Sequence, residues 1–380
     1  MIKLIEDKLT EEQKMLRDVA AEFTRNEIEP RDKWMDDNGF DWDLAKKITD
    51  AGFMAANIPE VYGGGGGGIV DNAIVAYEMA RGSGSIATFV GGHWLSTNLI
   101  LENGTEEQRA KYMPEAVAGK IFAFGLTESN AGSDAAAIKS VATETEDGWI
   151  LNGGKAWITN SGVADYYIIL AMTDPELGTK GISAFIVPKD AEGLGIGKFE
   201  HKFGVRGSAT CELAFDNIKL PKEALLGKRG KGFVMAMQTL DIGRLIAGAV
   251  VAGICEHAFE ISKAYVNERK AFGKPIKAFQ DVAFRFADIR AEIDAMLLLS
   301  YEAAFKKDAG LPCSIEAAEA KLFATTKGTQ ICLKCQEVFG GNGMSNEYDI
   351  GRLVRDVTVW SVMEGATGIL RMIVSGAVLK

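Results

Sequence analysis

The order of hydrophobic patterns along the chain is the feature that most limits its fold. Apolar side chains first recur at helical spacing, then alternate in short runs rich in β-branched and aromatic residues, and then return to helical spacing up to Lys380. The short runs follow one another without helical segments between them, which argues against an alternating doubly wound sheet. We therefore predict an α+β protein with an N-terminal helical domain, a central β-domain and a C-terminal domain resembling a four-helix bundle. The predicted boundaries are 1–118, 119–228 and 229–380.

Size and charge limit the kinds of partner. The chain has 380 residues, 47% of them apolar, and a net charge of -10 without long basic runs, so we expect neither a nucleic-acid surface nor a membrane surface. The longest apolar run, residues 245–255, is too short to cross a bilayer, which takes about 20 residues, and is interpreted as a buried helical segment. The first residues mix acids and lysines without the apolar stretch of a signal peptide, so we expect a cytoplasmic protein.

Cysteines and histidines give no pattern of a metal site. Cys332 and Cys335 form the one C-x-x-C pair among five cysteines, and the chain has no second pair. The three histidines, His93, His201 and His257, lie far apart in the sequence. We therefore expect no metal, and we interpret the cysteine pair as part of a packed helical face in a reducing compartment.

Two glycine clusters resemble nucleotide-binding loops. Residues 63–68 are six consecutive glycines, but they follow a helical stretch and Pro59 rather than a strand, so a dinucleotide-binding fingerprint is not expected. A turn that leads into a helix around residues 71–81 is the preferred interpretation. The second cluster, GGNG at 340–343, fits either the end of a helix or a phosphate contact.

Five motifs, in this order and spacing, resemble those of the acyl-CoA dehydrogenase family over essentially the whole chain. They are FGLTESNAGSD (124–134), WITNSG (157–162), ERKAFGKPI (268–276), EVFGGNG (337–343) and MEGATGILR (363–371). The resemblance implies the cofactor FAD, an acyl-CoA substrate, electron-transfer flavoprotein as electron acceptor, and a homotetramer built as a dimer of dimers.

The resemblance also assigns residues to the cofactor. Contacts with FAD are implied for Phe124, Leu126, Thr127, Gly132, Ser133, Trp157, Ile158, Thr159, Arg269, Phe272, Gln280, Glu337, Gly340, Gly341, Ala366, Thr367 and Gly368. Among these, Arg269 and Gln280 match residues that reach the FAD of a neighbouring subunit, and the planar fork of an arginine suits a phosphate. Two positions depart from the family: Glu337 stands where many members have Gln, and Ala366 lacks a hydroxyl group.

Contacts with the substrate are implied for Ser133, Asp241, Arg244 and Gly365. Taken alone, Asp241 and Arg244, three apart on a helix, would be interpreted as a modest surface pair. The acyl group would lie near the helix that follows SIATF, which makes Thr88, Phe89, His93 and Trp94 candidates for its pocket; core packing is the equal alternative for the two rings, Phe89 and Trp94.

The resemblance assigns the catalytic base to Glu364. A thioester α-proton is weakly acidic, so its removal needs a carboxylate held in an apolar site and donors to the developing enolate oxygen, here the Glu364 N–H and a ribityl hydroxyl. The β-hydride would pass to flavin N5. Some relatives carry the base on the helix of Arg244, one residue earlier, where this chain has Gly243. The alternatives are an enoyl-CoA reductase of the same fold, an oxidase, a non-catalytic acyl-CoA or flavin-binding protein, and a nicotinamide dehydrogenase.

Overall fold

The computed structural model describes residues 2–380 and confirms the predicted α+β class. Seven helices precede a mixed sheet, and five further helices follow it. The N-terminal helices are α1 (Lys3–Glu6), α2 (Glu11–Phe23), α3 (Glu29–Asn38), α4 (Trp42–Asp50), α5 (Ile69–Ala80), α6 (Gly84–Asn103) and α7 (Glu106–Val117). Helices α2 and α7 begin at the capping boxes of Thr10 and Thr105, in which the hydroxyl accepts a backbone N–H three residues on.

The central sheet follows without crossover helices between its strands. It comprises β1 (Phe122–Gly125), β2 (Val141–Glu144), β3 (Gly148–Thr159), β4 (Tyr166–Met172), β5 (Ile182–Pro188), β6 (Leu194–Ile196), β7 (Thr210–Pro221) and β8 (Leu225–Leu226). The strand order is β6-β7-β3-β2-β4-β5-β8, and β1 pairs in parallel with β4 beside β2. The sheet begins and ends within the predicted range 119–228, and the run after Thr210 alternates buried and exposed residues as a half-buried strand should.

Long helices make up the C-terminal region. They are α8 (Gly232–Glu268), α9 (Gln280–Asp308), α10 (Ser314–Val338), α11 (Ile350–Val359) and α12 (Thr367–Val378), with a two-stranded ribbon of β9 (Lys270–Ala271) and β10 (Lys274–Pro275) between α8 and α9. Helix α8 is the element that joins the regions, because it packs against α5 and α6 as well as against α9 and α10. Cys332 and Cys335 are buried on α10, as predicted.

Helix α8 is apolar because it is buried. Within residues 2–380 it is the one helix with the length and composition to cross a membrane, and 83% of its most apolar 18-residue stretch lies inside the protein. Every residue of the predicted apolar run at 245–255 is buried. The run therefore forms part of the core, as the sequence predicts.

The six glycines at 63–68 form a loop whose hydrogen bonds stay within the chain. The N–H groups of Gly65, Gly66 and Gly67 donate to backbone carbonyls of residues 55–58. At the start of α5, both oxygens of Asp308 accept the N–H groups of Ile69 and Val70, at 2.7 and 2.9 Å. Because a carboxylate already occupies this helix N-terminus, it offers no phosphate site, and the interpretation as a turn is confirmed.

Candidate active site

A cavity of about 620 Å³ lies where the three regions meet. Its wall combines α6, β1 and the segment after it, the end of β3, the first half of α8 and the turn between α11 and α12. Of the residues predicted for the cofactor or substrate, it is lined by Phe124, Leu126, Thr127, Gly132, Ser133, Trp157, Ile158, Thr159, Arg244, Glu364, Gly365 and Ala366. These residues come from three of the five motifs and from the helix of Arg244, so the fold assembles them into one site.

The segment after β1 is fixed by a buried ion pair. The Lys155 ammonium donates to Glu128 at 2.6 Å and to the Leu126 carbonyl at 3.2 Å, and both charged side chains are almost inaccessible to water. Burial acts to raise the pKa of Glu128, but hydrogen bonds from Lys155 and from two backbone N–H groups outweigh it, so the pKa is lowered. The backbone of Thr127 accepts the Ala156 N–H at 2.9 Å. Leu126 and Thr127 therefore lie in a segment whose position is fixed.

Trp157 reaches the cavity because β3 is irregular there. The register between β3 and β7 shifts between Lys155 and Ile158, which marks a β-bulge, and Trp157 has a left-handed backbone with φ of 60°. A bulge redirects a side chain, and a positive φ is rare for a residue of this size. The indole is 62% exposed although its neighbour Ile158 is buried. An exposed, backbone-strained aromatic residue at a cavity mouth is typical of a ligand contact.

Glu364 lies in the turn between α11 and α12. Its φ is +53° and that of Gly365 is +97°, so two consecutive residues adopt the left-handed region. The residue as a whole is half-buried, but its Oε2 atom is inaccessible to water and has no hydrogen-bond partner among the described residues. Burial raises the pKa of Glu364, and the positive charges of Lys321 and Arg244 act in the opposite direction. A desolvated carboxylate without a partner has the properties of a proton acceptor.

The N–H of Glu364 is also free. Within residues 2–380, no backbone or side-chain acceptor takes it, although the N–H groups of Met363 and Thr367 on either side are bonded to carbonyls. A free N–H beside a carboxylate can donate to an oxygen of a bound molecule.

Gly243 faces this carboxylate directly. A Cβ atom added at Gly243 would lie 2.5 Å from Glu364 Oε2 and 3.0 Å from Leu95 Cδ2. The position at which some relatives carry the base is thus adjacent to Glu364 in space, although the two are 121 positions apart in the sequence. It carries no side chain here, which leaves Glu364 as the carboxylate of the cavity lining.

Arg244 and Asp241 form an ion pair, but only Arg244 lines the cavity. Arg244 donates to Asp241 at 2.7 Å, and Asp241 also accepts a hydrogen bond from Ser314. Arg244 is buried, lines the cavity and keeps its Nε atom unpartnered, whereas Asp241 does not line the cavity. The modest surface pair considered from the sequence is therefore wrong for Arg244, which is 6% exposed.

Two of the four candidates for the acyl pocket line the cavity, and two do not. Thr88 and Trp94 line the cavity, and the Trp94 indole is fixed by donating to the Met54 carbonyl at 3.2 Å. Phe89 and His93 lie in the core instead: Phe89 packs edge-on against another ring and His93 accepts a backbone N–H. Burial lowers the pKa of His93 to about 3, so its ring is neutral.

The remaining predicted residues lie outside the cavity. Thr367 and Gly368 begin α12, where the Thr367 hydroxyl donates to a carbonyl of the preceding turn. Five others form a separate exposed surface at the end of α10 and around the β9–β10 ribbon: Arg269, Phe272, Gln280, Gly340 and Gly341. Glu337 belongs to this surface too, and it accepts a hydrogen bond from Arg285. The glycines follow the end of α10 in a short 3-10 turn with open space around them.

Several residues of the site were not predicted from the sequence. Lys321 and the Lys155–Glu128 pair lie behind it, and Lys202, Leu95, Ile242, Ile246 and Trp360 line it. One signal was present for Lys321: it falls on a helical face otherwise made of Ala317, Ala320 and Ala324, where a charged residue is out of place. No cluster of three or more metal-binding side chains occurs in the described part of the chain.

Comparison with known proteins gives a consistent assignment. The family descriptions "Acyl-CoA dehydrogenase, N-terminal domain", "middle domain" and "C-terminal domain" match residues 10–120, 123–218 and 230–379. A short-chain-specific acyl-CoA dehydrogenase of Clostridium acetobutylicum is 41% identical over 98% of this chain and 99% of its own. A caffeyl-CoA reductase–Etf complex subunit of Acetobacterium woodii is 38% identical over the same shares. The structure of butyryl-CoA dehydrogenase from Megasphaera elsdenii superposes with a TM-score of 0.96 at 37% identity, covering 98% of this chain and 99% of that one.

Proposed function

The chain belongs to the acyl-CoA dehydrogenase family, an FAD-dependent family of oxidoreductases, and we propose that it oxidises an acyl-CoA thioester to the 2-enoyl-CoA with Glu364 as the base. The observation that carries this proposal is the buried, unpartnered Oε2 of Glu364 in the wall of the cavity. A carboxylate that has lost its water and has no donor nearby is a stronger base than one in solution.

The residues of the cavity fit a flavin. Leu126 and Thr127 offer backbone groups and a hydroxyl on a segment fixed by the buried ion pair, and Thr159 offers a second hydroxyl. The bulge at Trp157 holds an aromatic face at the cavity, which suits contact with a planar ring. These residues would hold the cofactor, and bound FAD supplies the acceptor for the electrons that leave the β-carbon.

Glu364 contributes both its carboxylate and its backbone N–H to the reaction. Its carboxylate takes the α-proton, and its N–H, which no protein group occupies, donates to the thioester oxygen as negative charge develops there. The left-handed backbone at Glu364 and Gly365 keeps these two groups on the same turn. Arg244 adds a positive charge within the same cavity, while Asp241 holds the guanidinium in place.

We propose a compact acyl group. The wall formed by α6 and α8 contributes Trp94, Leu95, Ile242 and Ile246, all apolar, and the anchored indole of Trp94 limits the depth. An apolar pocket selects its ligand mainly by shape. Short, branched or cyclic acyl groups therefore fit better than long chains.

Anaerobic mixing with a panel of acyl-CoA thioesters tests the reaction and the acyl group together. Purified protein is expected to be yellow, and its visible flavin absorbance should bleach with one or more short or branched acyl-CoAs. Protein that cannot be loaded with FAD, or a flavin that no acyl-CoA bleaches, would contradict the proposal. Electron-transfer flavoprotein should then restore the absorbance as the oxidant, while dioxygen should do so only slowly.

The reverse reaction is the second candidate. A relative named as a caffeyl-CoA reductase–Etf complex subunit shares 38% identity over the whole chain, and the same base and N–H serve both directions of a reversible reaction. The direction depends on the potentials of the acceptor and of the acyl couple rather than on Glu364. Reoxidation of the chemically reduced protein by enoyl-CoAs, compared with reduction by the saturated thioesters, decides which reaction is faster.

We also propose that the active form is a homotetramer built as a dimer of dimers. Arg269, Phe272 and Gln280 lie on an exposed surface outside the cavity, and Phe272 is 94% exposed with a φ of +49°. An exposed ring in a strained conformation suits contact with another subunit. Sedimentation of the FAD-loaded protein at micromolar concentration should give the mass of four chains, and a monomer that retains FAD would contradict this proposal.

A further inference from the structure

Lys321 is a buried lysine without a carboxylate partner. It lies on α10 with no exposed surface, and none of the carboxylates in residues 2–380 approaches it within 4.0 Å. The other lysine buried to this extent, Lys155, contacts Glu128 at 2.6 Å. Burying an ammonium group costs free energy, and a paired lysine recovers part of it. The position of Lys321 therefore calls for another explanation.

The group that Lys321 does contact is the turn that carries the base. Its ammonium donates to the carbonyl of Gly365, the residue after Glu364. Burial lowers the pKa of Lys321 to about 8, so most of the group is still protonated at neutral pH. The small residues Ala317, Ala320 and Ala324 on the same face of α10 let the lysine chain lie within the helix packing.

The turn needs such a contact. A left-handed backbone at a residue with a side chain costs on the order of 1–3 kcal/mol and persists only where neighbours enforce it. Glu364 and Gly365 both adopt it, and the hydrogen bond from Lys321 is the one side-chain contact to their backbone among the described residues. A Cβ atom at Gly365 would lie 3.8 Å from the Arg244 guanidinium, so the turn is enclosed between two cations.

We propose that Lys321 is a positioning residue for the base: by holding the Gly365 carbonyl it fixes the left-handed turn that presents Glu364 to the cavity. This inference rests on the proposed role of Glu364. A second effect follows from its charge, since Lys321 favours the ionised form of Glu364. The other charged group that acts on this carboxylate is Arg244, which Asp241 partly neutralises. Lys202 also lines the cavity.

Two substitutions separate the hydrogen bond from the charge. Lys321→Met removes both and keeps the volume, whereas Lys321→Gln removes the charge and keeps a donor. Lys327→Met is the matched control, because Lys327 lies on the same helix, is half-buried and pairs with Glu292 away from the turn. Each variant is compared with the parent in FAD content and thermal stability before kinetics.

The decisive measurement is the pH dependence of flavin reduction at saturating acyl-CoA. Without Lys321, the acid limb should move up by about one pH unit or more, the change that a nearby unit charge causes in a carboxyl pKa. At a fixed pH on the acid limb the rate should fall by about tenfold, since one pKa unit is a factor of ten in the ionised fraction there. At high pH the Gln variant should recover more of the rate than the Met variant, because its carboxamide still holds the turn. Thioester affinity should change little, and the control should follow the parent.

A pH titration of Glu364 without substrate tests the role of Lys321 independently of the proposed reaction. The carboxyl stretch of Glu364, assigned by its loss in Glu364→Gln, can be followed by infrared difference spectroscopy against pH. If no acyl-CoA bleaches even the parent flavin, the proposed function fails, while this titration still reads the influence of Lys321. Overlapping profiles for the parent and both variants would overturn the inference. Failure of both variants to fold would overturn it as well, because Lys321 would then be a requirement of the core rather than of the turn.

Discussion

Replacing Glu364 by Gln is the substitution for which the structure gives the sharpest expectation. The carboxamide keeps the shape of the side chain, and no hydrogen bond is lost at Oε2, because that atom has none. The protein should therefore fold and hold FAD as the parent does. A positioned general base contributes about 10²–10⁴-fold to a rate, which corresponds to about 2.7–5.5 kcal/mol in the activation barrier.

The full loss is expected because no other carboxylate can take over. Position 243 is a glycine, and Asp241 is engaged by Arg244 and Ser314 and does not line the cavity. Stopped-flow anaerobic mixing with the best acyl-CoA measures the rate of flavin reduction, and titration of the flavin spectrum measures affinity for the thioester, which should be nearly unchanged. Reduction of the Gln variant at close to the parent rate would refute the assignment of the base, and Asp241 would be the next residue to replace.

Three further predictions concern the same framework. A double variant, Gly243→Glu with Glu364→Gly, should recover part of the flavin reduction that Glu364→Gly alone loses, since a Cβ at 243 lies 2.5 Å from the present Oε2; no recovery would contradict it. Lys155→Met should lower the free energy of unfolding by about 3–5 kcal/mol, because it leaves the Glu128 carboxylate buried without its cation. The double variant Lys155→Met with Glu128→Gln should lose less, and urea unfolding measures both. His93 is neutral in the core, with a pKa of about 3. The free energy of unfolding should therefore be unaffected by His93 above its unfolded pKa of about 6.5, and should fall by about 1.4 kcal/mol per pH unit below that value, because only the unfolded chain then binds the proton. Urea unfolding of His93→Asn should show a weaker acid dependence than the parent.

The sequence was sufficient for the fold class because its local patterns do not conflict. Capping boxes at Thr10 and Thr105 mark helix starts that depend on four residues each, and the short alternating runs after residue 119 contain no helical periodicity. Local signals of this kind survive folding because tertiary packing reinforces them. The glycine run at 63–68 was resolved by the same reasoning, since the element before it is not a strand.

The composition of the cavity was harder to predict, because it depends on which side of each helix faces inward. Phe89 and Trp94 are both buried core residues of α6, yet of the two only Trp94 also lines the cavity. Trp157 faces the cavity because the register of β3 shifts by a bulge, and a bulge is set by the pairing with β7 rather than by the residues of β3 alone. The alanine face around Lys321 marks the residue as unusual, but it does not identify its partner, which is a backbone carbonyl 44 residues away that no side-chain pattern encodes.

The geometry around Gly243 explains why the residue that carries the base can differ within one fold. Chemistry constrains the place where a carboxylate oxygen meets the α-carbon, and it places no constraint on the helix from which the side chain comes. Here α8 and the α11–α12 turn approach so closely that a side chain at Gly243 would displace the Glu364 carboxylate from its present position. A carboxylate at either position therefore favours a small residue at the other, and the two residues are expected to change together.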